Sequence, residues 1–87
     1  MNHKEALSWI ADVFEEPAEN IRPETRRDDV PGWDSLGILA LIAALDRDFD
    51  IVLEPEAIQA MASVGEILQV LRHQGRLEGE SSREHAG

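Results

Sequence analysis

Apolar residues recur at helical spacing in three stretches of the chain and lose all periodicity between the first two. Leu7, Ile10, Ala11 and Phe14, widened by Trp9 and Val13, form the first stripe. Asn2, with Glu5 three residues on, has the spacing of a capping box, so a helix is predicted from Asn2 to Phe14. Residues 15–34 then carry charge, three prolines (Pro17, Pro23, Pro31) and one glycine. Connections that long are uncommon in small domains and often functional. Asp34 is placed to cap a second helix from about Ser35 to Phe49, because a carboxylate there accepts orphan backbone N–H bonds. Ile38, Leu41, Ile42, Leu45 and Phe49 fall on its core side and Leu36, Ala40, Ala43, Ala44 and Arg47 on the other. That outer side is too apolar for a purely solvated face, which suggests a surface for a partner.

Ile51, Val52 and Leu53 look strand-like, but no second run exists to pair with them, so they read as loop. Glu54-Pro55-Glu56-Ala57 opens a brief helix to about Met61, with proline tolerated in the first turn. Ser63-Val64-Gly65-Glu66 repeats the capping-box spacing ahead of Val64, Ile67, Leu68 and Leu71, the apolar row of a last helix stopped near Gly75. Residues 76–87, with two glycines, Ser81-Ser82, several charges and one isolated Leu77, are expected to be a disordered tail. The predicted fold is all-α: one domain over residues 1–75, a small antiparallel four-helix bundle of three longer helices and a short third one.

Composition removes most functions. At 87 residues the chain builds one core and no separate cofactor module. Eighteen acids against eight bases leave a formal charge of −10, which disfavours nucleic acid and anionic membrane as partners. The absence of cysteine removes disulfides and thiolate nucleophiles and fits a reducing compartment. The longest apolar run, Ile38 to Leu45, is eight residues, far short of the roughly 20 a membrane span needs; with no signal-like segment after Met1, a cytoplasmic protein is expected. His3, His73 and His85 have no metal-ligand spacing, so no metal site is assigned. The acids are spread over every segment and form no tuned catalytic pair.

Ser35 is the exception because of its place, just after a turn glycine and a capping acid at the head of the helix with the apolar outer face. Taken alone, a serine there is ordinary capping chemistry. It lacks the Gly-x-Ser-x-Gly elbow and any histidine placed to act as base, so a serine hydrolase is rejected. An exposed, unactivated hydroxyl suits being the substrate of another enzyme.

Gly32-Trp33-Asp34-Ser35-Leu36, followed by Leu41, Leu45, Asp46 and Phe49-Asp50, resembles the Asp-Ser-Leu signature and second helix of acyl carrier proteins and peptidyl carrier domains. The likeness runs from about residue 4 to 74 and includes the helix order, the long first loop and the short third helix. It implies a free-standing monomeric carrier without catalysis of its own. Ser35 would receive a 4′-phosphopantetheine arm from coenzyme A through a phosphopantetheinyl transferase, and the arm's thiol would hold an acyl group as a thioester. The phosphodiester would sit at the positive end of the helix, where negative charge is favoured by about 0.3–1 kcal/mol. Asp34 and Leu36 belong to the attachment site, Asp34 as cap and as a recognition point for the transferase.

By the same likeness, Leu36, Ala40, Ala43 and Arg47 of the second helix, with Met61 from the third, would meet partners. These are a loading ligase and a downstream acyltransferase or synthase of fatty acid, polyketide or nonribosomal peptide biosynthesis. The interior around Ile38, Leu45 and Met61 reads first as packed core, and the likeness adds the alternative that it shelters a short acyl chain. An aminoacyl or peptidyl carrier, and an unmodified helical adaptor of the same fold, are the alternatives. Fatty-acid carriers usually have an acid two positions after the serine and more along the second helix. Here Gly37 and Ala40 stand in those places, no acid lies between Ser35 and Leu45, and docking is expected to be more apolar and less salt-sensitive. Gly37, which costs about 1 kcal/mol of helix propensity, is expected to loosen the site or to let a partner approach closely.

Overall fold

A computed structural model of the chain describes residues 1–77. Helix α1 spans His3–Phe14 and begins on the capping box. The Glu5 N–H donates to Asn2 Oδ1 (2.7 Å) and the Asn2 N–H to Glu5 Oε1 (3.0 Å). It ends on Glu15, left-handed at φ 57°, and the Glu15 and Glu16 amides return to the carbonyls of Asp12 and Ala11 as in a Schellman motif. Ala6, Ile10, Ala11 and Phe14 are buried.

The 15–34 connection is better ordered than its sequence suggests. It holds two single 3₁₀ turns, Ala18–Asn20 and Arg27–Asp29, and buries Ile21, Val30 and Trp33 in the core. These anchors follow no helical or strand period, so a pattern search passes over them. Its backbone also pairs with the start of the last helix. Arg27 donates to the Ala62 carbonyl (2.9 Å), while the Val64 and Gly65 N–H groups donate to the Thr25 (2.9 Å) and Pro23 (2.8 Å) carbonyls. The Arg27 guanidinium adds a bond to the Gln59 carbonyl.

Helix α2 spans Ser35–Phe49 and α3 spans Pro55–Gln59, with proline at its first position. Helix α4 spans Val64–His73. Beyond one isolated Arg26–Ser63 bridge there is no strand pairing among the described residues. The fold is therefore the all-α bundle expected, with three longer helices and a short third one.

Four expectations need correction. Ser63 makes no side-chain cap bond: of the two amides it could cap, Gly65 N–H donates to the Pro23 carbonyl (2.8 Å) and Glu66 N–H to the Ser63 backbone carbonyl (3.1 Å). Glu66 instead accepts from the Ala62 N–H at 2.7 Å. Ala44, placed on the outer face by the sequence pattern, is buried, since α2 packs on α1 as well as α3 and its covered arc is wider than one stripe of large residues. Met61, expected to meet partners, is 8% exposed and belongs to the core. Leu77, assigned to the tail, is also core. Gly75 (φ +74°) stops α4 as expected, with Arg76 N–H returning to the Leu71 carbonyl (2.7 Å). The chain then passes under cover: the Arg76 guanidinium donates to the Phe49 carbonyl (3.0 Å), and the Met1 ammonium to the Arg76 carbonyl (3.0 Å). Residues 78–87 of the expected tail lie outside the described residues.

Candidate functional site

The approach to Ser35 is built from backbone packed on backbone. The Pro31-Gly32 turn brings Gly32 so close to the end of α1 that a Cβ on it would stand 2.1 Å from the Phe14 carbonyl oxygen. A Cβ on Gly37 would stand 1.9 Å from the Gly32 carbonyl oxygen. Each glycine is thus required by the layer beneath it, and α1, the loop and the first turn of α2 are stacked at distances no other residue allows. Gly37 is buried. It neither loosens the site nor opens it to a partner, as the sequence suggested; the close approach is made by the chain's own loop.

Trp33 locks the same loop from the other side. It is 6% exposed and stacks on Phe14, with ring centroids 5.1 Å apart and planes 17° from parallel. Its N–H donates to the Val30 carbonyl (2.9 Å), but its indole Nε1 is buried and finds no partner among the described residues.

Asp34 caps α2 as the sequence indicated: its Oδ1 accepts from the Gly37 N–H at 2.9 Å, and its carbonyl accepts from Ile38 at 2.8 Å. Because Asp34 takes the capping role, Ser35 at the first helical position is left exposed with its hydroxyl available. The hydroxyl stands at the positive end of a 15-residue helix, a setting that favours a phosphodiester attached there. The arrangement of residues at the head of α2 fits such a group. No group of three or more His, Cys, Asp or Glu side chains that could hold a metal ion occurs among the described residues.

Of the residues expected to meet partners, Leu36, Ala40, Ala43 and Arg47 are all exposed along α2. Leu36 is 77% exposed and is joined by Leu39 at 59%, which the sequence reading missed although it lies three residues from one of these positions and four from another. Val52, just after α2, is 74% exposed. Arg47 closes the stripe with a charge whose direction is set by Asp48, to which Nε and Nη2 donate at 2.9 Å each. The guanidinium bonds first, and the Trp9 Nε1–H bond (2.8 Å) second, hold the Asp48 carboxyl at about 2. Trp9 in turn meets Phe49 edge to face at 4.9 Å. This cluster ties α1 to the end of α2, far from Ser35, and is structural. Ile38 and Leu45 are buried core residues.

Comparison with known proteins agrees with this geometry. The family model described as a phosphopantetheine attachment site matches residues 6–71. An acyl carrier protein of Clostridium acetobutylicum is 36% identical over 63 residues, covering 72% of this chain and 82% of that protein. No solved structure matches at the same stringency. The group that this family attaches is 4′-phosphopantetheine, and the exposed Ser35 of the Asp-Ser-Leu triplet sits inside the matched region. On the family match and the identity together, the chain belongs to the acyl carrier protein family.

Proposed function

We propose that the protein is an acyl carrier whose Ser35 bears the 4′-phosphopantetheine arm and which delivers acyl intermediates to partner biosynthetic enzymes. The observation that carries this reading is the division of labour at the head of α2: Asp34 caps the helix and Ser35 is exposed beside it. When attached, the arm supplies the thiol that a cysteine-free chain lacks, and holds the acyl group on it as a thioester. The chain's own residues present the hydroxyl, hold the helix end and offer the docking face; catalysis is left to the partners. Acyl cargo is favoured over aminoacyl because the curated relative is an acyl carrier protein.

The docking face is the exposed stripe Leu36, Leu39, Ala40 and Ala43 with Arg47 at its end, and Met61 is not part of it. No acid lies on α2 before Asp46, so ligase, acyltransferase or synthase contacts there depend on apolar burial and resist salt. No helix among the described residues is long and apolar enough to cross a membrane; a monomer working in the cytoplasm fits the reading.

The test is incubation with coenzyme A and a broad-specificity phosphopantetheinyl transferase, followed by intact mass. One arm should be added to the wild-type chain and none to Ser35→Ala. Absence of addition to the wild type would favour an unmodified helical adaptor.

A further inference from the structure

Two clefts between α1 and α2 adjoin. Val13, Phe14, Leu36, Ala40 and Asp34 are among the residues that line the first, of about 220 Å³. The second, of about 450 Å³, shares Val13 and Ala40 with it and continues to Trp9, Ala44, Arg47 and Asp48. Together they form one groove that starts beside Ser35, at its chain neighbours Asp34 and Leu36, and follows α2 towards its far end. We propose that Val13, Ala40, Ala44 and Trp9 hold the pantetheine portion of the Ser35 arm in this groove. The inference rests on the carrier reading above and adds to it a resting place for the arm on the outside of the bundle.

Chemistry selects a neutral occupant. The Arg47 and Asp48 charges of the second cleft are spent on each other, with Nε and Nη2 each donating at 2.9 Å, and the Trp9 Nε1–H donates to the same carboxylate at 2.8 Å. A charged guest there would compete with these bonds. Asp12, which also lines the second cleft, and Asp34 in the first would repel an anion. Pantetheine carries no charge beyond its phosphate. It offers methyl and methylene groups to the apolar lining, while its two amides stay solvated on the open side. The bond to Asp48 and the edge-to-face contact with Phe49 (4.9 Å) fix the Trp9 ring in place. Ala40 and Ala44 stand one turn apart on α2, and longer side chains there would fill the groove.

Reach and tethering select the arm. Pantetheine is as long as about four peptide units, roughly 14 Å when extended. From Ser35 to Ala44, α2 advances roughly the same 14 Å. A short flexible tether also gives the attached group an effective concentration on the order of millimolar, so a site with a Kd of half that value is about two-thirds occupied. Contacts too weak to capture a free molecule are therefore enough to hold the arm.

Because the chain has no cysteine, the arm's thiol is the only one in the modified protein, and its reactivity reports where the arm lies. Wild type, Ala40→Gln and Ala57→Gln are modified with coenzyme A and a broad-specificity phosphopantetheinyl transferase and checked by intact mass and melting temperature. Each is then treated with a neutral disulfide, which the formal charge of −10 does not repel. The wild-type thiol should react about threefold more slowly than that of Ala40→Gln, whose longer side chain fills the groove. Ala57→Gln, on α3 and off both clefts, should match the wild type. Proton NMR of the modified wild type should show nuclear Overhauser contacts from the arm to Val13 and the Trp9 ring. Equal rates in wild type and Ala40→Gln, or arm contacts to Ile38 and Leu45 of the core in place of Val13 and Trp9, overturn the groove site. Failure of the wild-type chain to accept the arm overturns the carrier reading itself.

Discussion

Replacing Gly37 by alanine sets two physical effects against each other, and the structure decides the sign. Helix propensity alone favours alanine over glycine by about 1 kcal/mol, so a reading from sequence predicts a more stable protein. In the structure the new Cβ would stand 1.9 Å from the Gly32 carbonyl oxygen, more than an ångström inside any normal contact. That oxygen is backbone, and Gly32 is itself pressed onto the Phe14 carbonyl, so no rotamer change relieves the clash. Overpacking of this kind costs about 1–3 kcal/mol or more, which outweighs the propensity gain. A clash at 1.9 Å against fixed backbone belongs in the upper part of that range, about 2–3 kcal/mol, so the net expectation after the propensity gain is a loss of about 1–2 kcal/mol. For a domain of this size that corresponds to a fall in Tm of roughly 4–16 °C, read by far-ultraviolet circular dichroism on heating. A Tm equal to or above that of the wild type would refute the packing argument and restore the looser site that the sequence suggested.

Two further outcomes follow from side chains nearby. Trp33→Phe removes a buried N–H that finds no partner while shrinking the ring, and the two effects oppose. Stability in urea should stay within about 1 kcal/mol of the wild type, and a loss above about 3 kcal/mol would mean that the indole N–H is bonded after all. Asp48 has a folded pKa of about 2 against an ordinary 3.8. A depressed carboxylate stabilises above its unfolded pKa and ceases to do so as pH falls through the folded one. The stability difference between wild type and Asp48→Asn should therefore be constant above pH about 4 and shrink between about 4 and 2. A difference that stays level through that window would show that the Arg47 and Trp9 bonds do not hold in solution.

What the sequence disclosed and what it concealed divide along physical lines. The capping box at Asn2 and Glu5, the Asp34 cap and the Gly75 stop are local, and each forms as its spacing predicted. Ile21, Val30, Trp33 and Leu77 are long-range anchors with no period to betray them, and only the assembled core shows why they are apolar. Ser63 does not cap because its own carbonyl takes the Glu66 N–H and a loop about 40 residues earlier takes the Gly65 N–H, the second an arrangement that no window around Ser63 contains. Ala44 and Leu39 were misjudged or missed because α2 is covered on two sides, which shifts the exposed arc away from the one a single stripe of large residues marks. At the site itself, the serine, its capping acid and the apolar outer face were legible. The reason for Gly37 was not, since it depends on a carbonyl five residues earlier being folded back against it.

The central claim is that Ser35 is a tether for a prosthetic group added by another enzyme. Its most direct test is fragment mass spectrometry of the protein isolated from its native host. The account predicts 4′-phosphopantetheine on the peptide that contains Trp33-Asp34-Ser35-Leu36, localised to Ser35. Native protein that is entirely bare at Ser35, under conditions where its biosynthetic enzymes are expressed, would contradict it.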